Sequence, residues 1–339
     1  MTQQTAVRDV SLPVQAQSSA EDFLDIAERA EALGYERVWL PETWGRDGVS
    51  LLSAIAERTE RIGIGAGILN VYSRSPAILG QTAATLQELS GGRFRLGLGP
   101  SGPVLVEGWH GVDYEQPLRR TRETIEIARQ VTRGEQVDYD GEVFQLGGFR
   151  LRCDPPATPP PIDATGMGPT AVELCGRFAD GWHALMLTPD GLADRMAALE
   201  RGADLGGRSV DDVRVTLSLT CCVSEDRERA RDLVASHVAF YVAAMGDFYH
   251  RALASQGYEA TAEAITDAWH EGDASAARAA IGEDLLDDLA VADEPAAARD
   301  RLGRFAAVDG VDAVAVSLPR GADHDDVTTT LRELAPAAD

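Results

Sequence analysis

The chain has no lysine: all 31 of its basic residues are arginines, set against 55 carboxylates for a net charge of −24 over 339 residues. That absence excludes a Schiff-base lysine and the lysine of a Walker-type phosphate loop. The charge excludes nucleic acid as a partner, since a phosphate backbone is repelled by such a field and no stretch gathers the arginines into a stripe. Long apolar runs are missing too. Nothing approaches the roughly 20 uninterrupted apolar residues of a membrane span, and Met1 to Gln17 carries no apolar signal core, so a cytoplasmic protein with no membrane contact is expected. Cys153, Cys175, Cys221 and Cys222 make no C-x-x-C pair. Free thiols follow, with Cys221 and Cys222 on opposite faces of a strand. Among His110, His183, His237, His250, His270 and His324 there is no H-x-H or H-E-x-x-H spacing, so no metal is expected.

Lysine loss combined with a carboxylate surplus points to adaptation to concentrated salt, where dense carboxylates hold water and ions while screening relieves their repulsion. A GC-rich genome accounts for the missing lysines but not for the excess of Asp and Glu.

What is present is an alternation of short apolar strands and amphipathic helices. Ser18 and Glu21 pattern as a capping box, followed by Phe23, Ile26, Ala27, Ala30 and Leu33 at helical spacing and a stop at Gly34. Strands are predicted at Val10 to Val14, Val38 to Leu40, Ile62 to Leu69, Phe94 to Leu98, Ile162 to Ala164, Gly181 to Leu185, Val213 to Val223 and Val311 to Leu318. Helices lie between them, including Leu51 to Glu60, one opened by Ser75-Pro76, and Leu118 to Val131. Eight such units favour an α/β fold of the (β/α)8 TIM-barrel type over an open sheet. We read residues 1–339 as one domain with two insertions. The first is a β-hairpin at about 134–152 around Asp140-Gly141. The second is a helical segment at about 239–290 that covers the barrel mouth. The tail from Ala335 to Asp339 is expected to fray.

Several motifs carry chemistry. Gly97 to Gly102 matches G-x-G-x-x-G literally, but Pro103 and an apolar-aromatic loop through Trp109 replace the long helix a dinucleotide site requires. Gly97 and Gly99 instead let backbone or a flat ligand approach at a strand's C-terminal end, where barrel active sites lie. Glycine at every second position of Gly63 to Gly67 leaves one face of the third strand open, either to neighbouring side chains or to a planar ring. Thr165-Gly166-Met167-Gly168-Pro169-Thr170 opens a helix with bare backbone N–H groups, reading as an anion pocket or an ordinary βα turn. Glu42 after the second strand, Glu107 after the fourth, and His110 beside Trp109 are the candidates for proton transfer. As ordinary rim or packing residues they need no such role.

Four segments in order resemble the luciferase-like monooxygenase superfamily and, within it, the branch using the deazaflavin coenzyme F420. They are Ala32 to Leu40, Thr59 to Ile62 with Gly65 to Ser73, Thr85 to Phe94, and Val106 to Gly111; the likeness thins after Leu199. The resemblance implies a ring held at the barrel mouth, and a bulge at Gly67-Ile68-Leu69-Asn70 with a cis peptide at Gly67–Ile68 or one bond later. Gly99, Pro100 and Ser101 are placed beside the ring, and Gly166, Met167, Gly168 and Thr170 at its phosphate. It also implies hydride transfer to or from a small organic substrate, as in methylene-tetrahydromethanopterin reductases, and a homodimer. FMN with monooxygenase chemistry is the alternative, and a non-catalytic flavin-binding barrel is another. Where several deazaflavin dehydrogenases have an Asp-His pair, this chain has Glu42-Thr43, which removes an imidazole base and leaves the proton to Glu42, Glu107 or His110.

Overall fold

In the computed structural model, which describes residues 6–12 and 19–336, the apolar runs align in parallel. In chain order the strands are β1 (Val7–Ser11), β2 (Arg37–Leu40), β3 (Gly63–Ala66), β4 (Leu69–Asn70), β5 (Phe94–Gly99), β6 (Val137–Asp140), β7 (Gln145–Phe149), β8 (Ile162–Thr165), β9 (Gly181–Leu185), β10 (Arg214–Val223), β11 (Ala290–Asp293) and β12 (Ala313–Ser317). The order β1-β2-β3-β5-β8-β9-β10-β12 returns to β1 through Val7↔Ala313 to Ser11↔Ser317, so the sheet closes into an eight-stranded parallel barrel. Helices cover its outside, which is why the strands read as nearly continuous apolar runs.

The glycines of β3 serve packing. A Cβ on Gly65 would lie 2.3 Å from the Trp39 ring, and one on Gly63 would meet the Arg37 guanidinium at 2.5 Å. The open face foreseen beside β3 is thus filled by neighbouring side chains. Gly97 is needed for a similar reason: a Cβ there would sit 1.9 Å from the Ala66 carbonyl oxygen.

Buried ion pairs hold the barrel's N-terminal end. Asp9, fully buried, accepts from Trp39 Nε1 at 2.8 Å and from Arg214 at 3.1 Å. Arg95 grips Asp163 through Nε at 2.9 Å and Nη2 at 2.5 Å, and this guanidinium keeps the Asp163 carboxyl below the ordinary carboxylate range despite its burial. A depression of about 650 Å3 at this end is lined by Arg95, Arg129 and Arg214, each already paired with an aspartate.

Local expectations change or gain detail at five places. β1 starts at Val7, not Val10, and Val14 lies outside the described residues. The capping box is Ser19 with Asp22, one position beyond the expected pair, Ser18 being outside the described residues. The third strand is interrupted, β3 and β4 flanking a cis Gly67–Ile68 peptide as the resemblance implied. A six-residue helix, Pro103–Gly108, replaces the loop expected there. The Asp140-Gly141 hairpin has a four-residue turn because Glu123 accepts the N–H groups of Glu142, Val143 and Phe144.

The second insertion divides in two. The helices Arg227–Ala244 and Asp247–Leu253 reach over the barrel mouth. Later helices pack with β11 and with the buried face of Arg227–Ala244 (Ala230, Val234, Val238 and Val242) into a second apolar cluster around Ala262, Ile265, Leu285 and Leu286. β11, absent from the sequence reading, extends β10 through Thr220↔Ala290 to Val223↔Asp293. Cys221 faces the barrel core and Cys222 this second cluster, and all four thiols are free. No helix among the described residues is long and apolar enough to cross a membrane.

Candidate active site

A cavity of about 680 Å3 opens at the C-terminal ends of the strands. Ser11, Ser218, Thr220, Ala315 and Ser317 form part of its lining with Trp39, while His237, Tyr241, Met245, Phe248 and Tyr249 come from the covering helices. The small side chains at the strand ends are what leave room for a large ligand.

Most of the expected cofactor residues line this space. Gly67, Ile68, Pro100, Ser101, Gly166, Met167, Gly168 and Thr170 do so. Leu69, Asn70 and Gly99 stand behind it. Leu69 is core, and Asn70 uses Oδ1 to accept from the Tyr72 and Ser73 N–H groups at 2.8 Å. A Cβ on Gly99 would meet Thr165 at 2.6 Å and Ile68 at 3.2 Å, so this glycine lets the strand press against the bulge.

The proton-transfer candidates separate. Glu42 reaches the cavity, but Arg74 binds both its oxygens, at 2.5 and 2.8 Å, and the Gly48 N–H donates to it at 2.9 Å. Glu107 is exposed on helix Pro103–Gly108, accepts from the Tyr114 N–H, and does not line the cavity. His110 is displaced by the same helix, its Nε2 lying 3.0 Å from Asn70 Nδ2 outside the cavity wall. The short helix is the physical reason, because it turns these side chains away from the mouth.

Other lining residues were given no binding role from the sequence. His183 on β9 meets Trp39 edge-on at 4.3 Å between ring centroids and has a buried Nε2 with no hydrogen bond, 3.5 Å from Asp163. Thr43 Oγ1 is likewise buried without a partner. The alternation along Gly181 to Leu185 already placed His183 on the same face as Gly181 and Leu185, a usable signal. Arg195 left none: from helix Pro189–Leu205 it donates Nε to the Met167 carbonyl at 2.7 Å and Nη2 to Ser255 at 2.9 Å, joining the Gly166 turn to the covering segment.

The cavity reverses the sign of the surface. Glu42 is its one carboxylate among the described residues and is neutralised by Arg74, whereas Arg195 and Arg251 both line it. At the Gly168 turn, helix Pro169–Phe178 begins without a side-chain cap. A Cβ on Gly168 would meet nothing within 4 Å. A phosphate fits this open, uncapped helix start beside Arg195, and the unpartnered Thr43 Oγ1 offers a hydrogen bond to a ring's polar edge.

This architecture has known relatives. The profile of the family described as luciferase-like monooxygenase matches residues 5–312. The chain belongs to that family. Within the luciferase-like monooxygenases it is 30% identical over 297 residues to the 5,10-methylenetetrahydromethanopterin reductase of Archaeoglobus fulgidus, covering 87% of this chain and 88% of that protein. It is also 30% identical over 233 residues to the F420-dependent glucose-6-phosphate dehydrogenase of Amycolatopsis mediterranei, covering 63% and 68%. The fold matches that of the coenzyme F420-dependent tetrahydromethanopterin reductase of Methanopyrus kandleri with a TM-score of 0.83, 23% identity and 98% of each chain covered.

Proposed function

We propose that this luciferase-like protein is an oxidoreductase that binds coenzyme F420 in the barrel mouth and exchanges a hydride with a small organic substrate. The reductase of A. fulgidus, similar over most of both chains, makes a methylene-tetrahydropterin the first substrate to try. The observation that carries the reading is the cationic, uncapped cradle at Gly168 and Arg195 within a chain of net charge −24. An anionic, phosphate-bearing cofactor needs such a reversal of sign, and a lysine-free chain supplies it from main-chain N–H groups and arginine.

When bound, the deazaflavin supplies or accepts the hydride at C5. The chain's part is placement. The Gly67–Ile68 bulge forms one wall, the Gly166 to Thr170 turn holds the phosphate, and the helices Arg227–Ala244 and Asp247–Leu253 shield the mouth from water. Glu42, held by Arg74, shapes the mouth and carries no proton in this reading.

FMN is the competing ring, because the family takes its description from monooxygenase chemistry. The chromophore retained by protein purified from its native host distinguishes the two. A deazaflavin spectrum, with no oxygen uptake on adding reduced FMN, is the expected result. An FMN spectrum with oxygen uptake overturns the proposal, and reduced deazaflavin that stays reduced across a broad substrate panel favours binding without turnover.

A further inference from the structure

The covering helices place three aromatic residues with polar ends at the cavity. His237 stacks on Tyr241, with ring centroids 4.7 Å apart and 26° between planes, and Tyr241 meets Tyr249 edge-on at 4.9 Å. His237 Nδ1 accepts the Arg320 backbone N–H at 3.0 Å, so a neutral ring carries its proton on Nε2. Among the described residues no protein group accepts from Nε2 or bonds either tyrosine hydroxyl, while all three side chains line the cavity. Burial and the nearby Arg320 cation push the His237 imidazolium down to about 4, and burial raises both tyrosines above the ordinary phenol range. The three are therefore uncharged hydrogen-bond donors at neutral pH. Around them stand Val238, Met245, Phe248 and Leu289. The Arg320 guanidinium lies over Phe240 at 3.6 Å and that of Arg251 over Phe248 at 4.9 Å.

We infer that His237, Tyr241 and Tyr249 form the substrate's recognition wall and take the carbonyl oxygen of an uncharged, largely apolar molecule such as a cyclic enone or lactam. This rests on the oxidoreductase reading and narrows its substrate to a class. Neutral donors in apolar surroundings satisfy a carbonyl oxygen, whereas a carboxylate there loses its hydration beside two cations, Arg251 and Arg320, that are already seated over Phe248 and Phe240.

The test uses 2-cyclohexen-1-one as probe, with 1-methylcyclohexene and cyclohex-1-ene-1-carboxylate as the carbonyl-free and charged comparators. Binding is measured by calorimetry to the protein with and without coenzyme F420, together with the infrared carbonyl stretch of the bound enone. The expected results are a stretch moved to lower wavenumber, an order of affinity of enone above both comparators, and an affinity about tenfold weaker in His237→Phe or Tyr249→Phe. In His237→Gln, which keeps an N–H donor, the affinity is restored in part. Coenzyme affinity is expected to be unchanged in all three folded variants. A preference for the carboxylate, an unmoved stretch, or wild-type enone affinity in both Phe variants overturns the inference. Because the enone is also titrated without coenzyme, failure of F420 to bind overturns the cofactor reading alone and is read separately.

Discussion

Arg74 holds Glu42 through both carboxylate oxygens, with Nη1 2.5 Å from Oε2 and Nη2 2.8 Å from Oε1, and extends Nη2 to Asp47 at 2.7 Å. Residues 42 and 74 are 10% and 18% exposed, so this pair is shielded from solvent far better than a surface bridge. The arrangement engages both carboxylate oxygens, Oε1 twice and Oε2 once, and ties the group to a fixed cation. Glu42→Gln is accordingly expected to lower stability by about 1–3 kcal/mol, read from a denaturant melt. It is expected to lower kcat at saturating cofactor by less than tenfold, below the roughly 10²–10⁴ of a lost general acid or base. A larger loss would assign Glu42 the proton after all.

The two glycines of the anion turn answer different questions. A Cβ on Gly166 would meet the Ala171 Cβ at 2.6 Å, whereas one on Gly168 would meet nothing. Gly166→Ala is expected to destabilise the fold by about 1–3 kcal/mol through overpacking. Gly168→Val is expected to leave the melting curve nearly unchanged and to weaken cofactor binding about tenfold. Equal cofactor affinity in a folded Gly168→Val protein would remove the phosphate from this turn.

The imidazole of His237 gives stability a distinct pH dependence. Its folded value is lowered to about 4 from 6.5, by burial and by Arg320. The unfolded chain therefore binds a proton first as pH falls. The contribution is fully present above pH 6.5 and is lost as pH falls toward 4, with a slope approaching about 1.4 kcal/mol per pH unit. Comparing unfolding free energies of wild type and His237→Phe from pH 7.5 to 4 isolates it. The difference between the two proteins should change over that window, and a constant difference would contradict the assignment.

The net charge of −24 makes the folded state self-repelling in dilute buffer. Raising potassium chloride from about 0.05 M to 1 M shortens the screening length from roughly 14 to 3 Å, and we propose that this protein is adapted to such conditions. The melting temperature is expected to rise steadily through that range, and sedimentation at high salt is expected to show a homodimer. A melting temperature independent of salt would leave the carboxylate surplus without a role in salt adaptation.

The barrel was legible because its strands are apolar on both faces. Val38 to Leu40, Gly181 to Leu185 and Ala313 to Ser317 stand out against the helices between them. β1 was misplaced because Arg8 and Asp9 look like solvent residues, yet Asp9 is buried where Trp39 and Arg214 satisfy it, a pairing across 30 and 205 residues that no local pattern announces. The backbone half of the site was readable from its glycines and from Pro169. Its side-chain half was not. Glu107 and His110 follow a strand, as functional residues do, but the intervening helix Pro103–Gly108 carries them off the mouth. His237 sits mid-helix among apolar neighbours and gains meaning only once that helix crosses the barrel.

An equilibrium titration of the ligand-free protein with coenzyme F420, followed by the change in deazaflavin fluorescence in concentrated potassium chloride with FMN as competitor, tests the central claim most directly. Saturable one-to-one binding that excess FMN does not displace is the expected result. Tight FMN binding with no measurable uptake of the deazaflavin would contradict it.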